Sequence, residues 1–350
     1  MRHDSTTPRK PWRRLAATAS ALALGMGLLV GCGTAAKDKK DDGAKSSAAG
    51  TFPVTVEHTF GSTTVSKAPQ RVVTVGYTDD QAVLALGIKP VGMVDQYKNP
   101  AGKSPDINTQ WPWVKDKWGD TKPEVVMTNG DPGPNFEKIA SLRPDLIIAV
   151  YSEIDDAAYG KLSQIAPTVG RTKAEKKPFS APWQDNAVHI AKALGQENEG
   201  KKLIQGIQDK LDTAKKKHPE FANQTAVALS WYKGAAAPFT TTDVRSQLLT
   251  GMGFKGQTEI DKIAGEKFFT PLSPERMDLI DVDRVFVIND QEDTDALKKY
   301  DLFANLKVTK NNKVAYLLDS EGPAVGAAMS QSTLLSLPYA IDQVVAAAAK

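Results

Sequence analysis

The residue best equipped for covalent chemistry is Cys32, the only cysteine among 350 residues. A thiolate is a strong nucleophile, and this one ends the run Leu29-Val30-Gly31-Cys32, where an uncharged stretch gives way to a polar tract. The other candidates for chemistry are weaker. Asp79-Asp80 and Asp155-Asp156 are adjacent carboxylates, and neighbours on a helix or strand point apart, so neither pair makes an acid–base couple. His58, His189 and His218 are scattered, without the short spacing of a metal site. The chain has no Gly-x-Ser-x-Gly elbow, no phosphate loop closed by Lys-Ser/Thr and no His-Glu-x-x-His. It is therefore expected not to be an enzyme, to have no catalytic residues and to hold no metal or cofactor of its own.

The flanks of Cys32 suggest its use. Residues 1–14 hold Arg2, Arg9, Lys10, Arg13 and Arg14 against Asp4, and residues 15–30 carry no charge. A basic segment before an apolar one of this length suits secretion and is too short for a comfortable membrane span. With the cysteine, the pattern resembles the bacterial lipoprotein signal, which implies cleavage before Cys32 and a diacylglycerol anchor on its thiol. Two or more acyl chains hold a protein stably to a bilayer. Arg13-Arg14-Leu15 matches a twin-arginine export signal poorly, so the export route stays open. Residues 33–50 contain no aromatic residue and no aliphatic one larger than Ala; they read as a flexible tether reaching about 20–25 Å.

The formal net charge of +3 includes the leader. Residues 1–31 hold five of the 44 basic and one of the 41 acidic residues, which leaves 39 against 40, a net of −1. No basic excess remains to suggest nucleic acid.

The elements that must position any binding group alternate. Residues 71–75 read as a buried strand, 79–86 as a helix ending at Gly87, and 88–94 as the next strand. A short helix capped by Asn135 leads into the apolar strand 145–150, and 158–165 is helical again. After a helical stretch at 183–194, Leu203, Ile207, Leu211 and Ala214 form one stripe of a long helix, 200–217. A second series follows: strand 225–231, helix 243–251, strands 284–288 and 313–318, and a final helix 332–349. Strands alternating with helices imply an α/β protein with mostly parallel sheets.

The two series echo each other. NFEKIASLRPDLIIAV, from Asn135, aligns without a gap on SPERMDLIDVDRVFVI, from Ser273. Glu137 then meets Glu275, Lys138 meets Arg276, and Asp145 meets Asp283. Both segments read as an N-cap, a glutamate in the first turn, an amphipathic helix and a buried strand, as a duplicated lobe would give. A glutamate there is also simply good capping, and this plain reading stands beside a functional one.

These two segments, with the Cys32 signal, the opening strand RVVTVG and the mid-chain helix, resemble the ABC-importer binding proteins for ferric siderophores and cobalamin. The resemblance runs from about Val54 to the C-terminus. It implies two Rossmann-like lobes with central, mostly parallel sheets, joined by one long α-helix, with the ligand in the cleft between them and limited lobe closure. The organisation expected is a signal peptide at 1–31, a lipidated tether at 32–51, an N-terminal lobe at 52–195, a connecting helix at 196–218 and a C-terminal lobe at 219–350. The resemblance also implies that Glu137 and Glu275 meet arginines of a membrane permease. A monomer anchored on the extracytoplasmic face of the cell membrane is expected.

Ligands of open α/β sheets bind beyond the carboxyl ends of the strands. Tyr77 and Tyr151 follow strands of the first lobe, and Asn129 opens a Gly/Pro-rich loop. In the second lobe Trp231 and Tyr232 end a strand, Arg245 opens a helix and Phe269 precedes Ser273. Aromatic residues at strand ends of both lobes suit a large, partly apolar ligand, although each is also a plausible core edge. Trp111, Trp113 and Trp118 either wall the cleft or pin their loop. One arginine against Asp79, Asp80, Asp131 and Glu153 favours a neutral or cationic complex, such as a ferric hydroxamate, over a strongly anionic ferric tricatecholate. Cobalamin and haem are the alternatives.

Overall fold

The computed structural model describes residues 50–97, 107–128, 130–175 and 179–349. Cys32, the tether ahead of residue 50 and Asn129 lie outside the described residues. Among those described, no helix is long and apolar enough to cross a membrane.

A hairpin not expected from the sequence comes first, with β1 (Val54–His58) antiparallel to β2 (Gly61–Val65). The first central sheet takes β3 (Val72–Thr74), β4 (Gly92–Asp95), β5 (Glu124–Thr128), β6 (Leu146–Ile148) and β7 (Thr168–Val169). Its order is β5-β4-β3-β6-β7, and every pairing is parallel. The second sheet takes β8 (Ala226–Tyr232), β9 (Ala235–Pro238), β10 (Arg284–Asn289) and β11 (Val314–Leu318), in the order β11-β10-β8-β9. Here β9 runs antiparallel to β8 across a tight turn in which Lys233 and Gly234 both have positive φ, 50° and 82°.

Both central sheets are covered on both faces, so the strand period of two sends alternate residues into different cores. Val72, Leu146 and Ile148 pack with Ile190 and Leu194, whereas Val73, Ile147 and Ala149 pack with Ile139 and Leu162. In the second sheet Ala228, Phe286 and Ile288 join Leu248 and Met252; Val227, Leu229, Val285 and Val287 join Leu297 and Phe303. The helix Glu197–Lys217 carries the expected stripe, with Ile207, Leu211 and Ala214 buried in the second-sheet core beside Trp183 and Ala187 of the helix Trp183–Ala193. Gly200 lets these two helices approach, since a Cβ there would lie 2.4 Å from that of Ala191.

The echo between the halves is structural at its end. The Asp145 carboxylate accepts from the amides of Gln70 and Arg71 at 2.8 and 2.9 Å. Asp283 accepts from the amide of Thr225 at 2.7 Å. Each aspartate stands just before one strand, β6 or β10, and ties down the start of its neighbour, β3 or β8. The turns ahead of them differ. Asn135 caps the α-helix Phe136–Ser141, its Oδ1 accepting from Lys138 N at 2.9 Å. Ser273 makes no such bond to the backbone, and Pro274–Ile280 is a 3-10 helix broken at Arg276, not the α-helix expected. Met277 and Ile280 are both buried, and residues three apart eclipse in a 3-10 turn.

Two boundaries move for identifiable reasons. β4 begins at Gly92, four residues later than expected, because Pro90 cannot donate to a ladder. The last helix is Ser336–Ala348. Ser332 has φ +44°, ending a separate helix, Val325–Gln331, and Thr333 Oγ1 accepts from Ser336 N at 3.0 Å.

Candidate functional site

Arg245 is the charged group around which residues of both halves converge. It opens the helix Val244–Gly251, whose N-cap Asp243 accepts from Arg245 N at 2.9 Å. Its guanidinium donates through Nη1 to both Asp243 oxygens at 3.1 and 3.0 Å, and through Nε to Ser330 Oγ at 3.0 Å. It also stands 4.1 Å from the centroid of the Phe239 ring, a cation–π contact strengthened by burial. Burial alone disfavours the charge, but Asp243, Tyr151 and Tyr97 hold the guanidinium above its ordinary range. Tyr97, beyond β4, and Tyr151, beyond β6, bring the first sheet to this group. The Tyr97 hydroxyl bonds with Ser330, and burial pushes both phenols up. Asp319, just after β11, is pushed to about 6 by burial, with Arg245 acting in the opposite sense. Its Oδ1 is buried without a hydrogen-bond partner.

Around this centre stand two aromatic walls. Tyr77 and Tyr151 flank Phe179, with ring centroids 5.8 and 4.8 Å away, and the Tyr77 hydroxyl lies 3.5 Å from Glu153 Oε2. From the second sheet's side Tyr232 meets Phe269 edge-on at 5.2 Å, and Phe268 and Phe269 sit 4.8 Å apart. Tyr232 and Phe268 are 41% and 44% exposed. Trp231, adjacent in sequence, points to the other face of its strand and packs on Tyr300 at 5.1 Å, with Val227 and Leu229. The structure thus gathers Tyr77 and Tyr151 on one side and Tyr232, Phe269 and Arg245 on the other. Beside Tyr77 a cavity of about 220 Å³ opens between the loops after β3, β5 and β6, lined in part by Asp131, Glu153 and Asp155.

The acidic count expected from the sequence needs correction. Asp79 and Asp80 are only 1% and 3% exposed and do not present free carboxylates to a ligand. Asp79 takes the amides of Val150 and Tyr151 at 2.7 and 3.0 Å. Burial, then the charge of Asp79, pushes the Asp80 carboxyl well above its ordinary range. Asp243 and Asp319 are the carboxylates that face Arg245.

The tryptophans pin more than they line. Trp111 and Trp118 are buried with Leu84, Met93 and Val114 against Ala324 and Ala327. Trp113 donates its indole N–H to Gln81 Oε1 at 3.0 Å, and Thr333 donates its hydroxyl to the same oxygen at 2.7 Å. Gln81 therefore fastens the end of the first sheet to the final helical segment. Glu137 and Glu275 are both exposed. The amide of Glu275 itself and the Ser273 hydroxyl hold the Glu275 carboxyl below its usual range. Among the described residues no group of three His, Cys, Asp or Glu could hold a metal ion. His58 lies buried in the β1–β2 hairpin, and His218 stacks on Phe221.

Sequence reasoning missed Tyr97, Glu175, Phe179, Phe239, Asp243, Asp319 and Ser330. Tyr97, Phe239 and Asp319 follow β4, β9 and β11, so the strand-end rule reaches them once those strands are placed. Phe179 and Ser330 follow no strand and carry no such signal.

Comparison with known proteins agrees with this architecture. The periplasmic binding protein family matches residues 72–321. The probable siderophore-binding lipoprotein YfiY of Bacillus subtilis is 30% identical over 66% of this chain and 67% of its own. The Fe(3+)-citrate-binding protein YfmC of the same organism is 31% identical over 73% of this chain and 75% of its own. The crystal structure of PiaA from Streptococcus pneumoniae in complex with ferrichrome superposes with a TM-score of 0.67 at 28% identity, covering 84% of this chain and 96% of that one.

Proposed function

This chain belongs to the periplasmic binding protein family, and we propose that it captures a ferric siderophore of the hydroxamate type outside the cell and delivers it to an ABC-importer permease. The observation that carries the choice of ligand is the charge at the cleft. Arg245 is already matched by Asp243 at 3.0 Å, and Asp319 stands near. Among the described residues, the buried cation at this centre is already ion-paired, and so offers a tricatecholate bearing several negative charges little to offset its desolvation. A neutral hydroxamate complex would meet aromatic walls and hydrogen-bonding tyrosines, the usual make-up of a small-molecule site. Relatives named for siderophore and ferric citrate binding, and a neighbour holding ferrichrome, support a ferric chelate as cargo.

The rest of the transport role follows. Acylation of Cys32 moors the protein on the extracytoplasmic face of the membrane, and residues 33–50 give it reach. Glu137 and Glu275, one in each half, meet cations of the permease. Two exposed charges of this kind steer encounter and fix orientation more than they add affinity. The domain works as a monomer and changes shape little on binding, its halves being fastened at Gln81. Replacing Glu137 and Glu275 together by Ala tests delivery: radiolabelled iron uptake by cells should fall about tenfold or more while ferrichrome affinity of the purified protein stays within about twofold. Unchanged uptake, or lost ligand affinity, would sink the docking role.

A further inference from the structure

Two acidic side chains are buried beneath the first aromatic wall, and ligand contact does not account for them. Glu175 is 6% exposed, and its Oε1 accepts from the amide of Phe179, while the Ser180 amide also donates to its carboxylate. Its Oε2 is buried with no hydrogen-bond partner. Asp79 accepts from the amides of Val150 and Tyr151, and from that of Gly76. Tyr77 N donates in turn to Tyr151 O at 2.9 Å. Tyr151 and Phe179 are therefore tied through their amides to the two carboxylates, and Tyr77 is tied through Tyr151. Phe179 has φ +66°, a left-handed conformation that costs a non-glycine residue about 1–2 kcal/mol. Its amide is held there by Glu175.

We propose that Glu175 and Asp79 are positioning residues for the ligand: as carboxylates they hold Tyr77, Tyr151 and Phe179 in place through backbone amides, and protonation slackens the wall and weakens binding. The inference rests on the reading of this cleft as the ligand site. The chemistry is one of acceptor capacity. Both Asp79 oxygens accept amides, so its acid form turns one of them into a donor facing an N–H, whereas Glu175 takes its proton on the unpartnered Oε2 and weakens its amide bonds by losing the charge that strengthens them. Burial pushes Glu175 to about 7 and Asp79 to about 6. Toward Glu175, Arg171 works to keep the charge and Asp79 works against it. Arg171 is itself held by the carbonyls of Ser152 and Ile154, at 3.1 and 2.9 Å, beside the wall. Behind Asp79 stand Asp80 and Asp95, both raised by burial. The sign is fixed: groups that must be ionised to hold the wall give full affinity above their folded values and lose it as pH falls through them, first near 7 and then near 6.

Two readouts on the whole protein test this. Amide hydrogen exchange, corrected for intrinsic rates, is followed without ligand from about pH 5.5 to 8, and ferrichrome affinity is titrated over the same range, for wild type, E175Q and D79N. In wild type, protection at Phe179 and Ser180 should fall as pH drops through 7. E175Q, whose amide oxygen still accepts but without charge, should show weaker protection that no longer varies with pH, bind ferrichrome several-fold more weakly at neutral pH and lose the upper step of the pH profile. D79N should do the same for the Val150 and Tyr151 amides and the lower step. Wild-type protection that ignores pH, or full protection in E175Q, overturns the proposal. Should ferrichrome fail to bind at any pH, the hydroxamate reading falls, and the exchange data still decide the positioning role.

Discussion

The two walls of the cleft are built from the same kind of ring and held in opposite ways. On the first, Tyr151 and Phe179 are fastened through their amides to buried acids, and Tyr77 through its amide to the Tyr151 carbonyl. On the second, Tyr232 and Phe268 stand more than two-fifths exposed at a hairpin tip and a loop, and the one fixed group is Arg245. Rigid rings lose little freedom when a ligand arrives, and exposed ones can shift to meet it. Under the proposed ligand reading, the contrast gives orientation to the first wall and Arg245, and adaptation to the hairpin side.

The largest effect expected is at Arg245. R245A leaves Asp243, 6% exposed, as a buried carboxylate without its ion-pair partner, which costs about 3–5 kcal/mol. The urea midpoint should fall accordingly and ferrichrome binding should be lost; an unchanged midpoint would mean Asp243 is solvated. Next comes Gly76→Ala. A Cβ there would lie 2.0 Å from Asp79 Oδ2, so the first wall must shift, at about 1–3 kcal/mol in the same assay. Near-wild-type stability and affinity in G76A would show that the wall is not rigid. A third test concerns the frame behind that wall. His189 is held neutral, its value lowered by burial to about 4, with its ring on the Gly170 carbonyl at 3.0 Å. Because the folded value lies below the unfolded one, its contribution is full above about pH 6.5 and is lost as pH falls toward 4. H189Q should flatten the loss of stability in that window by about 1–3 kcal/mol. The smallest effect belongs to the adaptable side. F268A should change stability by less than about 0.5 kcal/mol and ferrichrome affinity by only a few-fold, and a loss as large as that of R245A would erase the contrast between the walls.

Much of this frame could be read from residue order. The stripe Leu203, Ile207, Leu211, Ala214 located the long helix because 3.6-residue periodicity survives any surroundings. The Asp145 and Asp283 echo proved physical, each carboxylate capping the start of a neighbouring strand. The Ser273 turn was misread because a 3-10 and an α turn share N-cap and proline signals and differ in long-range packing. At the site, Tyr151 was legible from the strand-end rule, and Arg245 from a helix start that the family resemblance places at the cleft. The partners of Arg245 were not, since Tyr97 and Ser330 meet it only through the pairing of two sheets. Asp79 and Asp80 were miscounted for the same reason: sequence records a carboxylate but not the amides that bury it.

The most direct test of the account is a fluorescence titration of the purified protein with a ferric trihydroxamate, ferric citrate, a ferric tricatecholate, cobalamin and haem, for wild type and R245A. The account predicts tight saturation of wild type by the trihydroxamate, weaker or no response to the tricatecholate, and loss of the response in R245A. Saturation by the tricatecholate, or by cobalamin or haem alone, would contradict it.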